Sequence, residues 1–127
     1  MQTTEILELV EQRAELASNQ EANDTMIAVL ETLAERELDG EHDNFAAQLP
    51  KEFGELLTKG DPKDKDNFDA EEFVRRVGQR LDTTSDQSEK RTQAALSALI
   101  ESVSDGERVD MLNKLPKDFS PYAVWTA

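Results

Sequence analysis

Residues 39–53 read DGEHDNFAAQLPKEF, and residues 105–119 read DGERVDMLNKLPKDF. Asp, Gly, Glu, Leu, Pro, Lys and Phe recur in register, 66 positions apart. Two unrelated windows of that length share roughly one residue by chance, so the chain carries an internal duplication. Working outward from the repeated stretch, helical periodicity appears in matched pairs. Ile6, Leu7, Val10, Ala14 and Ala17 follow the i, i+3, i+4 spacing of an amphipathic helix, and Phe73, Val74, Val77 and Leu81 follow it again at an offset of 67. Val10-x-Gln12-Arg13 against Val77-x-Gln79-Arg80 belongs to the same correspondence. Met26, Ile27, Val29, Leu30, Leu33 and Ala34 form a second apolar face, matched by Ala95, Leu96, Leu99, Ile100 and Val103 at an offset of 66. One residue has therefore been gained or lost between paired helices, which loops tolerate and helix interiors do not. The slip predicts loops near residues 18–24 and 85–90.

Boundary residues support the same division. Ser18-x-x-Glu21 is a capping-box pattern, and Ser85 is expected to cap the matching helix. Asp69-x-x-Glu72, flanked by Phe68 and Phe73, adds the spacing of a hydrophobic staple. Gly40 and Gly106 are expected just past the second long helix of each half, where a left-handed residue without a Cβ is favoured. Pro50 and Pro116 suit the first position of a further short helix, because their missing N–H has no helical partner there anyway. No stretch alternates in β-branched residues between hairpin turns.

The expected fold is all-α: a compact bundle of about six to eight helices, built from two tandem related halves with a pseudo-two-fold relation. At 127 residues the chain is read as a single helical domain, residues 1–127, large enough for one core. Half one covers 3–58, a linker covers 59–68, and half two covers 69–125. The linker region, TKGDPKDKDN from Thr58 to Asn67, is polar, charged and interrupted by Gly and Pro. Neither half alone has enough apolar surface to stand, so the long helices are expected to share a core.

A doubled helical pattern with Gly40-Glu41 followed by Leu49-Pro50-Lys51-Glu52-Phe53, repeated as Gly106-Glu107 and Leu115-Pro116-Lys117-Asp118-Phe119, resembles an uncharacterised prokaryotic family, domain of unknown function 2267. The helix start Phe68-Asp69-Ala70-Glu71-Glu72-Phe73 is similar to that family's second half. The resemblance covers essentially the whole chain. It implies a small helical protein with two related halves and supplies no catalytic residues. The second copy departs at Ser120-Pro121, where the first has Gly54-Glu55, and Pro121 is expected to interrupt the last helix.

Composition narrows the function classes. Without cysteine there is no disulfide, zinc-thiolate site or cysteine nucleophile. The first residues, MQTTEILELVEQ, lack a basic segment ahead of an apolar one, so no signal peptide is expected. No apolar run approaches the roughly 20 residues of a membrane span, and a cytoplasmic location is expected. A net charge of −14 disfavours direct contact with nucleic acid or anionic membrane; it keeps the chain soluble, as in a salty cytoplasm, and would attract a basic protein partner or cations. The like-charged pairs Glu11/Glu15 and Glu31/Glu35 sit at i, i+4 spacing, so added salt should stabilise the fold.

Asp61 to Glu72 has the length of a calcium loop, but Lys63 and Lys65 stand at ligand positions and Asp66 where the loop needs Gly. The only histidine, His42, matches Arg108 in the second copy, which predicts an exposed polar position. Leu49 and Phe53, with Leu115 and Phe119, are expected in the core, leaving Lys51 and Lys117 in solvent. Trp125 is expected to close over its own core rather than anchor a partner. Acidic pairs are so frequent that no single pair is informative. No residue is assigned to catalysis, cofactor binding or metal binding, and no cofactor is expected. The leading functional expectation is a non-enzymatic interaction module with an acidic surface. Alternatives are a small-ligand or catalytic site in the seam between halves, and an acidic mimic of nucleic-acid charge. Specific function is expected where the copies differ, in residues 42–47 against 108–113.

Overall fold

The computed structural model describes residues 1–60 and 64–126. Among these are eight α-helices and no strand. The helices are α1 (Thr3–Ala14), α2 (Asn19–Glu35), α3 (His42–Ala46), α4 (Lys51–Leu57), α5 (Ala70–Leu81), α6 (Ser85–Glu101), α7 (Asp105–Lys114) and α8 (Ser120–Ala123). A 3-10 turn, Lys117–Phe119, precedes α8.

The two halves interlock. α1 lies along α2 of its own half and α6 of the other, while α5 lies along α6 of its own half and α2 of the other. Each half's first helix therefore bridges the second helices of both halves. α2 and α6 run through the middle, and every residue of α6 from Ala94 to Ile100 is buried. The small residues Ala94, Ala95, Ser97 and Ala98 let neighbouring helices approach, and Leu96, Leu99 and Ile100 fill the space between them. Phe45, Phe53, Phe73 and Phe119 are the largest fully enclosed side chains. Phe73 meets Phe119 edge-on, with ring centroids 5.6 Å apart. One continuous apolar cluster draws on all eight helices.

The matched elements agree in length: α1 and α5 have 12 residues, α2 and α6 have 17. The one-residue slip falls in the loop between them, residues 15–18 in one half and 82–84 in the other. That is ahead of the expected 18–24 and 85–90, and Ala17 is an exposed loop residue. Each loop opens on a left-handed non-glycine residue, Glu15 at φ 54° and Asp82 at φ 52°.

Caps follow the sequence in part. The Ser18 hydroxyl accepts from the N–H of Glu21, but the Glu21 carboxylate accepts from Ala17 rather than Ser18. In the second half the cap is Thr84, not Ser85, because the 66-residue offset already applies there. Asp69 caps α5 through the N–H of Glu72 at 2.8 Å, and Phe68 packs on Phe73 at 6.2 Å. Pro50 and Pro116 sit one residue earlier than expected, as the caps themselves, and their carbonyls accept from Phe53 and Phe119. Helical geometry changes just ahead of Pro121: the second copy has a 3-10 turn followed by α8 where the first has the unbroken α4.

The two glycines of the repeat do different things. Gly40 has φ 82° and, beside Asp39 at φ 52°, turns the chain into α3. Gly106 lies within the first turn of α7 and is helical. The position before the motif explains the split. Ser104 caps α7 with its hydroxyl, so the helix begins at once. Its counterpart Leu38 has no acceptor to offer, is buried, and leaves the chain to turn twice before α3.

Candidate functional site

An open groove of about 1100 Å³ lies over the outer face of α5, the first turns of α6 and the start of α8. Local sequence explains its shape. Gly78 lets α6 approach closely, since a Cβ there would stand 3.2 Å from the Ser88 side chain. The Ser88 hydroxyl donates to the Val74 carbonyl at 2.5 Å, which locks that crossing. Pro121 and Tyr122 form the far wall. The lining holds six acids (Asp69, Glu71, Glu72, Asp82, Glu89 and Asp118) against one base, Arg75.

Three of those acids are already engaged. Asp69 caps α5, Asp118 accepts from the N–H of Ala70 at 2.8 Å, and Glu72 is held by Arg75 and Arg76 at 2.6 and 2.8 Å. Hydrogen bonds from those two guanidinium groups pull the Glu72 carboxyl down to about 2. Glu71, Asp82 and Glu89 are exposed and enter no ion pair among the described residues. Burial, then Glu89, then Glu71 raise the Tyr122 hydroxyl above its ordinary value, so two free carboxylates stand around this ring. The arrangement can receive cationic side chains beside an aromatic ring.

Elsewhere several arginines are spent within the fold. Arg13 makes two bonds to Glu101, at 2.7 and 2.8 Å, and Arg80 makes two to Glu35, at 3.0 and 2.8 Å. The exchange is reciprocal, from the first helix of each half to the end of the other half's second helix. Arg80 holds Glu35 below its ordinary carboxylate value. Arg36 is buried against the rings of Phe68 and Phe119 and donates to the Phe68 carbonyl at 2.7 Å. Such commitments leave the exposed acids in excess.

His42 is buried, contrary to expectation, and its Nε2 lies 3.1 Å from the Leu33 carbonyl. Burial pushes its pKa down. Arg108, its counterpart, reaches the Ile100 and Glu101 carbonyls, so both side chains reach carbonyls at the end of a long helix. Leu49, Phe53, Leu115 and Phe119 are buried, and the Lys51 side chain is 88% exposed. Trp125 is half-buried under the Arg13 guanidinium, 5.2 Å from its ring centroid. Asp61 and Lys63 of the calcium-loop register lie outside the described residues. Asp66 in that register pairs its backbone with Glu35 and Glu37.

Sequence reasoning missed one constellation. The repeated Glu of the two Asp-Gly-Glu motifs, Glu41 and Glu107, meet each other, and Asp110 joins them. One carboxylate oxygen from each lies within 4.8 Å of the others. The signal that could have found the pair is its recurrence in both copies, next to a contact between α3 and α7.

The family described as "Uncharacterized conserved protein (DUF2267)" matches residues 3–122, nearly the whole chain. The chain belongs to this family. No curated protein matches it. As a DUF2267 member it has, among the described residues, no helix long and apolar enough to cross a membrane.

Proposed function

We propose that this protein is a non-enzymatic, cytosolic interaction module that receives a basic segment of a partner protein in the α5–α6–α8 groove. The observation that carries the reading is the lining itself: six acids to one base beside Tyr122, with Glu71, Asp82 and Glu89 free of ion pairs among the described residues. Lys or Arg side chains of the partner would pair with those three carboxylates. Its apolar positions would rest on Val74, Pro121 and Tyr122. Complementary charge speeds encounter and selects partners, while an aromatic side chain contributes affinity.

A fluorescently labelled arginine-rich peptide, titrated by anisotropy at low salt, tests this. Replacing Glu71 and Glu89 together by Gln should weaken binding by roughly tenfold, about what loss of two interfacial charge pairs removes. Replacing Glu5 and Glu8, exposed acids of α1, should leave it nearly unchanged. Equal weakening by both double variants would mean that the peptide reads net charge alone, and the groove would then have no special role.

A further inference from the structure

We infer that Glu41, Glu107 and Asp110 form a binding site for a hard divalent cation, bridging the two halves of the protein. Glu41 precedes α3, and Glu107 and Asp110 stand on one face of α7 at i, i+3 spacing. Glu41 is 7% exposed and Glu107 is 6% exposed. The Oε2 atom of each is enclosed and has no hydrogen-bond partner among the described residues. Asp110 is exposed and gives the cluster its opening to solvent.

Among the described residues no basic side chain pairs with these groups. No ion pair among the described residues includes any of the three. The nearest bases of α7 are turned elsewhere: Arg108 to the end of α6 and to Asp105, and Lys114 to Asp39. An uncompensated buried carboxylate costs several kcal/mol, so two facing one another call for a positive charge or a shared proton.

Local sequence makes the orientation of Glu107 informative. Ser104-x-x-Glu107 is a capping-box pattern, in which the Glu side chain would fold back to the N–H of Ser104. Half of the box forms, because the Ser104 hydroxyl accepts from the N–H of Glu107 at 3.3 Å. The other half does not: the N–H of Ser104 donates to Gln48 Oε1 at 2.8 Å. Gln48 thereby frees the Glu107 carboxylate, which extends toward Glu41.

The donor set selects the ion. Three carboxylates with no thiolate or imidazole suit Mg2+, Mn2+ or Ca2+ rather than Zn2+ or Cu2+. His42, the neighbour of Glu41, has its Nε2 on the Leu33 carbonyl. Oxygens on opposite sides of an ion lie roughly 4.2 Å apart for Mg2+ and about 4.6–5.2 Å apart for Ca2+. A spread of up to 4.8 Å among the three oxygens accommodates one such ion with little movement. Water through the Asp110 side would complete the coordination.

The test uses the full chain, stripped with EDTA and titrated with MnCl2 at moderate salt to suppress binding to the acidic surface. Paramagnetic broadening of backbone amide signals should centre on residues 40–43 and 106–111, with one ion bound per chain in calorimetry. Glu107→Gln should weaken that binding at least about tenfold while the metal-free protein keeps its helical circular dichroism. Glu41→Gln is the second variant, should the first not fold. CaCl2 in excess should displace Mn2+ and restore the signals. Broadening spread over the surface without this centre, or Glu→Gln variants that bind as tightly as wild type, would overturn the assignment. So would the absence of binding at millimolar MnCl2.

Discussion

Replacing glycine by alanine at two matched positions of the repeat should have opposite effects on stability. Gly106 is helical, in the first turn of α7, and a Cβ built there meets nothing within 4 Å. Alanine there removes freedom from the unfolded chain and improves helix propensity, which should stabilise by about 0.4–1 kcal/mol. Gly40 also has open space around it, so crowding cannot be the issue. Its φ of 82° is. A left-handed conformation costs a residue bearing a Cβ roughly 1–2 kcal/mol. Offsetting part of that cost by the same unfolded-state gain leaves Gly40→Ala destabilised by about 0.5–1.5 kcal/mol. Urea unfolding followed at the helical circular-dichroism band resolves both, since an m-value of about 2 kcal/mol/M turns 1 kcal/mol into roughly 0.5 M of midpoint. Shifts of the same sign in the two variants would refute the reasoning, because the two copies would then share one backbone course through the motif.

Three further outcomes are expected. A double-mutant cycle on Arg13 and Glu101, 2.7 Å apart with the Arg13 side chain 12% exposed, should give a coupling of about 1–3 kcal/mol, whereas Lys51 and Glu55, at 3.9 Å and 88% and 64% exposed, should give less than about 0.5 kcal/mol; equal couplings would contradict the difference in burial. Raising monovalent salt should raise the thermal midpoint, driven by the net charge of −14, because Glu35 and Glu15 of the like-charged pairs are already compensated by Arg80 and Lys90; a flat or falling midpoint would count against it. In metal-free protein, burial and then Glu41 push the Glu107 carboxyl from 4.5 up to about 7, so the native state holds a proton that the unfolded state releases. Stability should then fall by up to about 3 kcal/mol as pH rises through that window. His42, its pKa lowered by burial, adds the opposite slope as pH falls below its ordinary 6.5, so the comparison is made as wild type minus Glu107→Gln; an unchanged pH profile in the variant would refute the shift.

The long helices were legible because a 3.6-residue period marks which face is buried. Ile6, Val10, Phe73, Val77, Leu30 and Leu96 could be placed in the core from spacing alone, and all are. Which helix covers that face is a tertiary fact. Periodicity contains nothing about α1 crossing to α6 or α5 to α2. Local motifs were legible only as far as their neighbours allowed. Gly106 reads like Gly40, yet Ser104 in place of Leu38 starts a helix and removes the need for a left-handed residue. His42 was misplaced because a polar residue matched by Arg108 suggests solvent. Both side chains instead cap helix-end carbonyls, a use that rewards polarity without exposure. The groove escaped notice because it depends on Gly78 and Ser88 drawing two helices together.

Folding accounts for most of what the two copies share. Leu49 and Leu115, Phe53 and Phe119 recur because both halves feed one core, and the prolines recur because both must break a helix there. Glu41 and Glu107 resist that account. Each is buried, each has an unpartnered oxygen, and each makes its twin's burial more costly. An apolar or amide side chain at either position would relieve the repulsion, so selection for stability alone does not explain two acids. A ligand that needs both does. The inferred cation site thus rests on a residue the copies share, Glu41 and Glu107, held at the junction of α3 and α7.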